Sequence, residues 1–300
     1  MIPVLIDTDP GIDDALALLL AWGAPELSVR AITTVAGNVP VATATRNAVR
    51  LAALRRPASP LRLAQGAARP LARPLVTAER YHGDDGLGDL PDWPDTPTPP
   101  AARAVDLNVD AMVGESPGAL IALGPLTNLA EALAVDGNAL ARFERIVVMG
   151  GAVDVAGNVT STAEFNIHVD PEAAACVLAS GARLDFVPLD ATRQAVLERA
   201  QLLRALASTP APFAARVAAF SKRGFQVDAA RGTPGMVLHD PLAVAVTFDP
   251  GLVAWEHVRL RVEPDGATRR ADGPPNCRIA GPVDVARFLR VFLERLCAGG

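Results

Sequence analysis

Aromatic residues are scarce in this sequence, at 4% of 300 residues, although half of the chain is hydrophobic. Ala, Leu and Val must therefore fill most of the interior. Such an interior favours helices layered on a sheet over a sandwich or barrel of short strands. With only 20% charged residues, the chain can bury a large core, and this composition excludes global disorder.

The sequence also has no excess of positive charge, and its cysteines show no paired spacing. Lys and Arg total 28 against 33 Asp and Glu, so the net charge is −5. A nucleic acid polymer is not an expected partner, because binding a phosphate backbone requires a basic face. Cys176, Cys277 and Cys297 form an odd set without paired spacing. This pattern argues against a disulfide framework and a zinc site, and it fits a reducing cytoplasm.

Long hydrophobic runs are missing as well. The apolar stretch at residues 2–6 is too short for a signal peptide and has no basic start. The longest apolar run elsewhere, residues 15–22, is far below the ~20 residues that a membrane span requires. We therefore expect a soluble, cytoplasmic protein without a membrane partner.

Predicted strands and helices alternate along the chain. Residues 2–6 are a continuous apolar run, typical of a buried parallel strand, and residues 13–22 predict a helix that Gly23 and Pro25 end. This alternation predicts parallel βαβ units and an α/β fold. The later elements are strands at 27–36, 119–123, 146–149, 184–189 and 252–262, and helices at 41–54, 126–135, 171–180 and 283–296.

Two stretches interrupt the alternation. Residues 66–100 are rich in Pro, Gly and Asp, and residues 208–237 combine Pro and Gly with a weakly helical middle. Long loops in compact domains are usually functional. Neither stretch is a clear linker, so we predict one domain spanning residues 1–300.

Four carboxylates crowd into eight residues directly after the first predicted strand: Asp7, Asp9, Asp13 and Asp14. One or two of them could simply cap the helix that follows. Four like charges a few ångströms apart, however, repel and raise one another's pKa. A hard divalent cation removes this conflict, and oxygen ligands indicate calcium or magnesium. Metal binding is therefore our preferred interpretation of this motif, and helix capping is the alternative.

Four shorter polar motifs fall at the ends of other predicted elements. Each is ambiguous alone, because turns and polar surface loops have similar compositions. In open α/β sheets, however, ligands bind beyond the carboxyl ends of strands. The motifs are Gly37-Asn38, Leu123-Gly124-Pro125-Leu126-Thr127-Asn128, Gly157-Asn158 with Glu164-Phe165-Asn166, and His239-Asp240-Pro241.

Together these motifs resemble the signature of the inosine–uridine-preferring nucleoside hydrolases. The match covers nearly the whole chain in the family's order and is weakest at residues 66–100 and 208–237. The resemblance implies a single α/β domain with a mostly parallel, Rossmann-like open sheet flanked by helices, with variable loops at those two stretches near the active site. It also implies a homodimer or homotetramer. The matching blocks begin at Asp7, Ala31, Val148, Ala163, Asp170 and His239.

The resemblance further implies calcium-dependent hydrolysis of the N-ribosidic bond of ribonucleosides, giving free base and ribose. Calcium would be held by Asp9, Asp14, Asp240 and the main-chain carbonyl of Leu123, a position where the family often has Thr. Asp9 would act as general base toward the attacking water, and the transition state would be oxocarbenium-like.

The remaining site residues implied by the resemblance would bind the ribose. Asp13 would contact the 2′-hydroxyl, and Asn166 and Asp240 the 2′- and 3′-hydroxyls. The 5′-hydroxyl would meet Asn158 and Glu164. Asn38 would complete this shell, and Asp7 would support it.

The nucleobase is the least specified part of the substrate. We expect His239 to assist departure of the base, since its unperturbed pKa of ~6.5 lies near working pH. Base contacts are expected from the two variable stretches. Trp93 lies in the first of them, so a purine-specific site in which a tryptophan stacks on the base is an alternative. The candidates are His82, Phe220, Phe225 and Gln226.

Two alternative functions belong to other classes. Asp7-Thr8-Asp9 also fits a magnesium-dependent phosphohydrolase with an aspartate nucleophile. That mechanism requires a lysine to balance the phosphate charge, and Lys222 is the only lysine in the chain. A non-catalytic nucleoside-binding protein is the third interpretation, and a hydrolysis assay with inosine and uridine separates it from an enzyme.

Overall fold

The computed structural model describes residues 1–57, 62–93 and 118–298. The end of the predicted 66–100 loop, residues 94–100, therefore lies outside the described residues. The strands of the described part are β1 Ile2–Thr8, β2 Leu27–Thr34, β3 Leu63–Gln65, β4 Ala119–Ala122, β5 Arg145–Met149, β6 Leu184–Val187, β7 Val196–Leu197, β8 Met236–Val237, β9 Val253–Val258, β10 Leu260–Val262, β11 Thr268–Arg270 and β12 Cys277–Val283.

Eight of these strands form one sheet in the order β3-β2-β1-β4-β5-β6-β12-β9. Every neighbouring pair is parallel except β12 and β9, which are antiparallel. The pairs β7–β8 and β10–β11 form two small antiparallel sheets. The predicted mostly parallel α/β sheet is therefore confirmed.

Helices cover both faces of the sheet. None of the described helices is long and apolar enough to cross a membrane. Short 3₁₀ turns occur at Ala139–Arg142 and Pro250–Leu252. The α-helices are α1 Ile12–Gly23, α2 Val41–Arg55, α3 Glu79–His82, α4 Thr127–Val135, α5 Phe165–Val169, α6 Pro171–Ala179, α7 Leu189–Thr192, α8 Arg199–Leu206, α9 Ala211–Ala230, α10 His239–Phe248 and α11 Val285–Cys297.

The hydrophobic core has two parts, one on each face of the sheet. The larger part packs α1 with α2, α9, α10 and α11, and the smaller part contains α4 and α6. Every residue of α1 from Asp14 to Ala21 is buried. Because Asp13 and Asp14 lie in the first turn of α1, they are attached to a deeply packed helix.

The stretch 208–237 differs from the predicted loop. Residues Ala211–Ala230 form the 20-residue helix α9. Within the helix, Gly224 makes room for close packing. A Cβ at this position would lie 2.5 Å from Met236 Sδ. Proline near the start of α9 is also compatible with a helix, because the first turn has unpaired N–H groups in any case.

One further prediction at the carboxyl-terminal side was wrong. The single strand predicted at 252–262 is a 3₁₀ turn followed by β9 and β10, which belong to different sheets. His239-Asp240-Pro241, for which an ordinary turn was the alternative interpretation, forms the first turn of α10. The acidic side chain there favours the positive end of the helix dipole.

Asp170 joins the loop before α3 to the body of the protein. It is fully buried and caps the N-terminus of α6 by accepting a hydrogen bond from Ala173 N at 3.0 Å. Its other oxygen accepts hydrogen bonds from Leu71 N at 2.9 Å and from Thr127 Oγ1 at 2.6 Å. One carboxylate thus satisfies donors from three segments.

We predict that Asp170→Ala lowers the free energy of unfolding by about 2–4 kcal/mol, because it removes a helix cap and leaves buried donors unpaired. Urea unfolding followed by circular dichroism measures the loss. The matched control is Asp284→Ala, which removes an exposed cap of α11 with one backbone donor, Arg287 N. Equal losses for the two variants would contradict the role assigned to Asp170.

Candidate active site

Polar side chains gather where the central strands end. Asp7 lies within β1 and Asp9 directly follows it, Asn38 follows β2, and Leu123 follows β4. Since β2, β1 and β4 are neighbouring parallel strands, their carboxyl ends meet at one edge of the sheet. A cavity of about 710 Å³ opens there. Nine predicted site residues line it: Asp13, Asn38, His82, Leu123, Asn158, Glu164, Asn166, His239 and Asp240.

An acidic cluster forms the floor of this site. One carboxylate oxygen from each of Asp13, Asp14 and Asp240 lies within 4.8 Å of the other two. Asp9 is outside this closest group, but its pKa is raised by the charges of Asp14 and Asp13 in addition to burial. Asp9, Asp14 and Asp240 are 0%, 0% and 3% exposed. Asp9, Asp13 and Asp14 of the predicted motif therefore lie near one another and near Asp240.

The position of Asp9 depends on two glycines. Its Oδ2 accepts a hydrogen bond from Asn38 N at 2.6 Å, whereas its buried Oδ1 has no hydrogen-bond partner. A Cβ at Gly37 would lie 2.0 Å from Oδ2, and a Cβ at Gly124 would lie 2.7 Å from Oδ1. Only glycine leaves space for the carboxylate between these two turns.

Asp14 connects the acidic loop to its neighbours. Its Oδ1 accepts a hydrogen bond from Thr8 Oγ1 at 2.5 Å. Its Oδ2 accepts hydrogen bonds from Gly11 N at 3.0 Å and Asn38 Nδ2 at 2.9 Å. These contacts hold the loop between β1 and α1 in a shape that directs its carboxylates to one point.

Burial dominates the electrostatics of the cluster. It raises the pKa of Asp13 to about 8, with added repulsion from Asp14. Burial likewise raises the pKa of Asp240 well above its ordinary value, and the charges of Asp13, Asp14 and Asp9 raise it further. The buried Oδ1 atoms of Asp9 and Asp13 have no hydrogen-bond partner. These groups together form an electron-rich site that suits a cation.

Asp7 has a supporting place beside this cluster. It is fully buried and accepts hydrogen bonds from Thr33 Oγ1 and, at 2.7 Å, from Asn128 Nδ2. Burial raises the pKa of Asp7 to about 7. The side chain thereby links β1 to β2 and to α4 beneath the site.

Amide and carboxylate groups of the predicted ribose shell surround the floor. Glu164 caps α5, and its oxygens accept hydrogen bonds from Gly151 N at 3.0 Å, Asn166 N at 3.0 Å and Ile167 N at 3.2 Å. Asn158 Oδ1 accepts a hydrogen bond from Phe165 N at 2.9 Å, which directs its amide group away from this contact. The shell is thus held by backbone donors.

The Leu123 carbonyl lies at the junction of the shell and the acidic floor. It accepts a hydrogen bond from Asn166 Nδ2 at 2.6 Å, and the same amide donates to Met149 O at 3.1 Å. A carbonyl oxygen has two lone pairs, so this oxygen retains one for another partner.

Two imidazoles occupy another part of the cavity wall. His82 Nδ1 accepts a hydrogen bond from Ile12 N at 2.9 Å, so its proton in the neutral form is on Nε2. His239 Nδ1 lies 2.7 Å from Thr192 Oγ1. Burial is the main cause that lowers the pKa of His82 to about 3 and that of His239 to about 4. Both rings are therefore neutral at physiological pH.

Some predicted base contacts are wrong. Phe220 and Phe225 are 0% and 7% exposed and belong to the hydrophobic core, and Gln226 lies on the exposed side of α9. Trp93 packs between two arginines: the centre of its ring lies 5.5 Å from Arg50 Cζ and 4.7 Å from Arg216 Cζ. The face of α9 that borders the cavity could not be assigned because only a weakly helical middle was predicted for this stretch. Lys222, which the phosphohydrolase alternative requires, is exposed on α9 and is not among the cavity-lining residues.

Both variable stretches contribute cavity residues that the sequence analysis missed. From the first stretch come Tyr81 and Arg80, and from the second come Asp228 and Arg231. Tyr81 precedes His82, and their rings are 4.8 Å apart. Its proximity to a predicted site residue is the one signal that could have identified it.

Comparison with known proteins agrees with this geometry. A family model described as "Inosine-uridine preferring nucleoside hydrolase" matches residues 4–290. The pyrimidine-specific ribonucleoside hydrolase RihA of Salmonella agona (strain SL483) is 36% identical over 98% of this chain and 98% of its own.

Solved structures give the same result. The plant nucleoside hydrolase PpNRh1 has a TM-score of 0.90 and 34% identity, with 99% of both chains covered. The purine-preferring ribonucleoside hydrolase from Gardnerella vaginalis has a TM-score of 0.90 and 32% identity, with 98% of both chains covered. Because the family model spans most of the chain and these relatives match its full length, the chain belongs to the inosine-uridine preferring nucleoside hydrolase family and is a nucleoside hydrolase.

Proposed function

We propose that this nucleoside hydrolase cleaves the N-ribosidic bond of ribonucleosides with a bound calcium ion, releasing the free base and ribose. The observation that carries the proposal is the pair of buried carboxylate oxygens without a hydrogen-bond partner, Asp9 Oδ1 and Asp13 Oδ1. They belong to an acidic cluster beside a cavity whose wall offers amides and imidazoles. Such a site can accommodate a cation and a polyhydroxylated substrate together.

The donor set fits calcium. Asp9, Asp14, Asp240 and the Leu123 carbonyl offer only oxygen atoms, which hard cations prefer. Calcium takes six to eight oxygen ligands, so water and ribose hydroxyls would complete the shell. When bound, the cation would supply positive charge that neutralises the acids and lowers the pKa of the attacking water.

Asp9 is the proposed general base. Burial favours its neutral form, which makes its carboxylate a better proton acceptor than an exposed aspartate. Asp9 would take a proton from water as the water oxygen bonds to the anomeric carbon of the ribose. The bond from that carbon to the base nitrogen breaks, and its electron pair leaves with the base.

The ribose would be held by the residues around the floor. Asp13 and Asn166 would address the 2′-hydroxyl, and Asp240 the 3′-hydroxyl. Asn158 and Glu164 would address the 5′-hydroxyl, and Asn38 would order the acids through its bonds to Asp9 and Asp14. Fixed partners for each hydroxyl would stabilise a ring that acquires positive charge in the transition state.

The departing base would be assisted by His239. Thr192 occupies its Nδ1, so Nε2 is the ring nitrogen left to act on the base. His82 lines the same cavity, and its Nε2 carries the proton. His239 is proposed to assist the base as a neutral ring: Thr192 would donate to Nδ1, and the Nε2–H would donate a hydrogen bond to the departing base. His82 is a proposed contact to the base.

Location and assembly are part of the same proposal. We infer a cytoplasmic protein from the three free cysteines, because unpaired thiols fit a reducing compartment. A homodimer or homotetramer is the assembly that the family resemblance implies.

We predict that a calcium chelator abolishes turnover of inosine and uridine and that added calcium restores it. Calcium should also raise the melting temperature of the wild-type protein but not of Asp240→Asn, because a ligand stabilises the folded state that binds it. Chelator saturated with calcium beforehand is the control. Full activity in a chelated sample shown by metal analysis to be calcium-free would contradict the proposal.

Asp9→Asn should lower kcat by ~10²-fold to 10⁴-fold, the usual contribution of a general base. Loss of a calcium ligand would add to this effect. Asp185→Asn is the matched control, because Asp185 is also buried but pairs with Arg278 at 2.6 Å on a distant strand. The idea fails if both variants retain wild-type kcat with circular dichroism spectra unchanged.

His239→Ala should reduce hydrolysis of inosine and uridine by ~10²-fold or more, because it removes the proposed donor to the departing base. It should spare p-nitrophenyl riboside, whose leaving group departs without protonation. The measurement is kcat/KM for each substrate. An equal loss on all three, accompanied by weaker calcium binding, would show that His239 only orders the adjacent Asp240.

A further inference from the structure

Asp228 is a buried carboxylate that the proposed mechanism does not use. It projects from α9 into the cavity wall and is 5% exposed. Its Oδ2 accepts a hydrogen bond from Val237 N at 2.9 Å. Burial raises the pKa of Asp228, and the nearby Tyr81 hydroxyl counteracts this effect. A carboxylate can accept about four hydrogen bonds, so Asp228 has acceptor capacity beyond the bond from Val237.

Asp228 lines the same cavity as the two histidines that are proposed to act on the base. The ring of nearby Tyr81 is tilted against that of His82, with ring centres 4.8 Å apart. The Arg231 guanidinium lies 5.3 Å above the Tyr81 ring. The positive charge of Arg231 contributes to lowering the pKa of both His82 and His239. Asp228 therefore shares its part of the wall with the two imidazoles.

The Asp228 carboxylate accepts a backbone hydrogen bond but has no direct ion pair within the described residues. No Lys, Arg or His nitrogen of the described residues lies within 4.0 Å of its carboxylate. A buried anion favours a further donor, because removal from water is costly unless hydrogen bonds replace the lost hydration. A base that fills the cavity would exclude water from this wall. An N–H of that base could then replace the water as a donor to Asp228.

We propose that Asp228 accepts a hydrogen bond from an N–H of the nucleobase and so makes this donor a requirement for efficient hydrolysis. The inference rests on the proposed function and extends it to the base. Selection would follow the N–H group rather than the number of rings. In uridine the uracil ring carries one N–H, at N3. In inosine the hypoxanthine ring carries one N–H, at N1. Both bases therefore meet this requirement.

The competing role for Asp228 is structural. Through its two protein contacts it joins α3, which carries Tyr81, to β8, which carries Val237. Asp228→Asn separates the two roles. The amide oxygen can still accept from Val237 N, whereas the negative charge that would attract a base N–H is gone.

The experiment compares uridine with 3-methyluridine and inosine with 1-methylinosine, in which a methyl group replaces the ring N–H. We expect wild-type kcat/KM to favour each unmethylated nucleoside by about 10- to 100-fold, typical of a hydrogen bond to a charged group. In Asp228→Asn, kcat/KM for uridine and inosine should fall, and that for the methylated substrates should stay within about twofold. The ratio of kcat/KM for the unmethylated to the methylated nucleoside should therefore be smaller in Asp228→Asn than in the wild-type protein.

Asp185→Asn, the same change at a buried site elsewhere, should keep the wild-type preference. Steric exclusion of the methyl group would leave the preference intact in Asp228→Asn, and this result would overturn the proposal. Equal kcat/KM for uridine and 3-methyluridine in the wild-type protein would overturn it without any variant. If the wild-type protein hydrolyses none of the four nucleosides, the proposed function itself fails, which is a distinct result.

Discussion

Mutual repulsion among buried carboxylates is the constraint on which this site depends. Asp9, Asp14 and Asp240 are almost completely removed from water, and Asp13 stands beside them. Removal from water and like charge both oppose ionisation, so the arrangement is costly without positive charge or protons. The proposed calcium ion supplies that charge. The same acids would then serve the reaction, by taking a proton from water and by holding ribose hydroxyls.

The fold meets this constraint by combining parallel strands with close backbone turns. The ends of β1, β2 and β4 bring segments distant in sequence to one edge of the sheet. Gly37 and Gly124 leave space for Asp9, where any Cβ would clash with its carboxylate. Asp14 is held by Thr8, Gly11 and Asn38. Preorganised acids of this kind need little rearrangement during the reaction.

The sheet and the floor of the site could be predicted from the sequence, because continuous apolar strands ending in acids are a local pattern. The base end could not. Residues 208–237 were predicted as a variable stretch with only a weakly helical middle, whereas Ala211–Ala230 form α9. Phe220 and Phe225 of this stretch were assigned to the base, but Asp228 and Arg231 of the same helix line the cavity. Which face of a helix borders a cavity depends on tertiary packing, and one sequence does not contain that information directly.

The central claim is that the buried acids hold a calcium ion at the floor of the cavity. Crystals grown with calcium and measured for anomalous scattering test it most directly. The account predicts one strong peak ~2.3–2.6 Å from oxygens of Asp9, Asp14 and Asp240 and from the Leu123 carbonyl oxygen. No peak at saturating calcium, or a peak held by other residues while these acids remain unliganded, would contradict it.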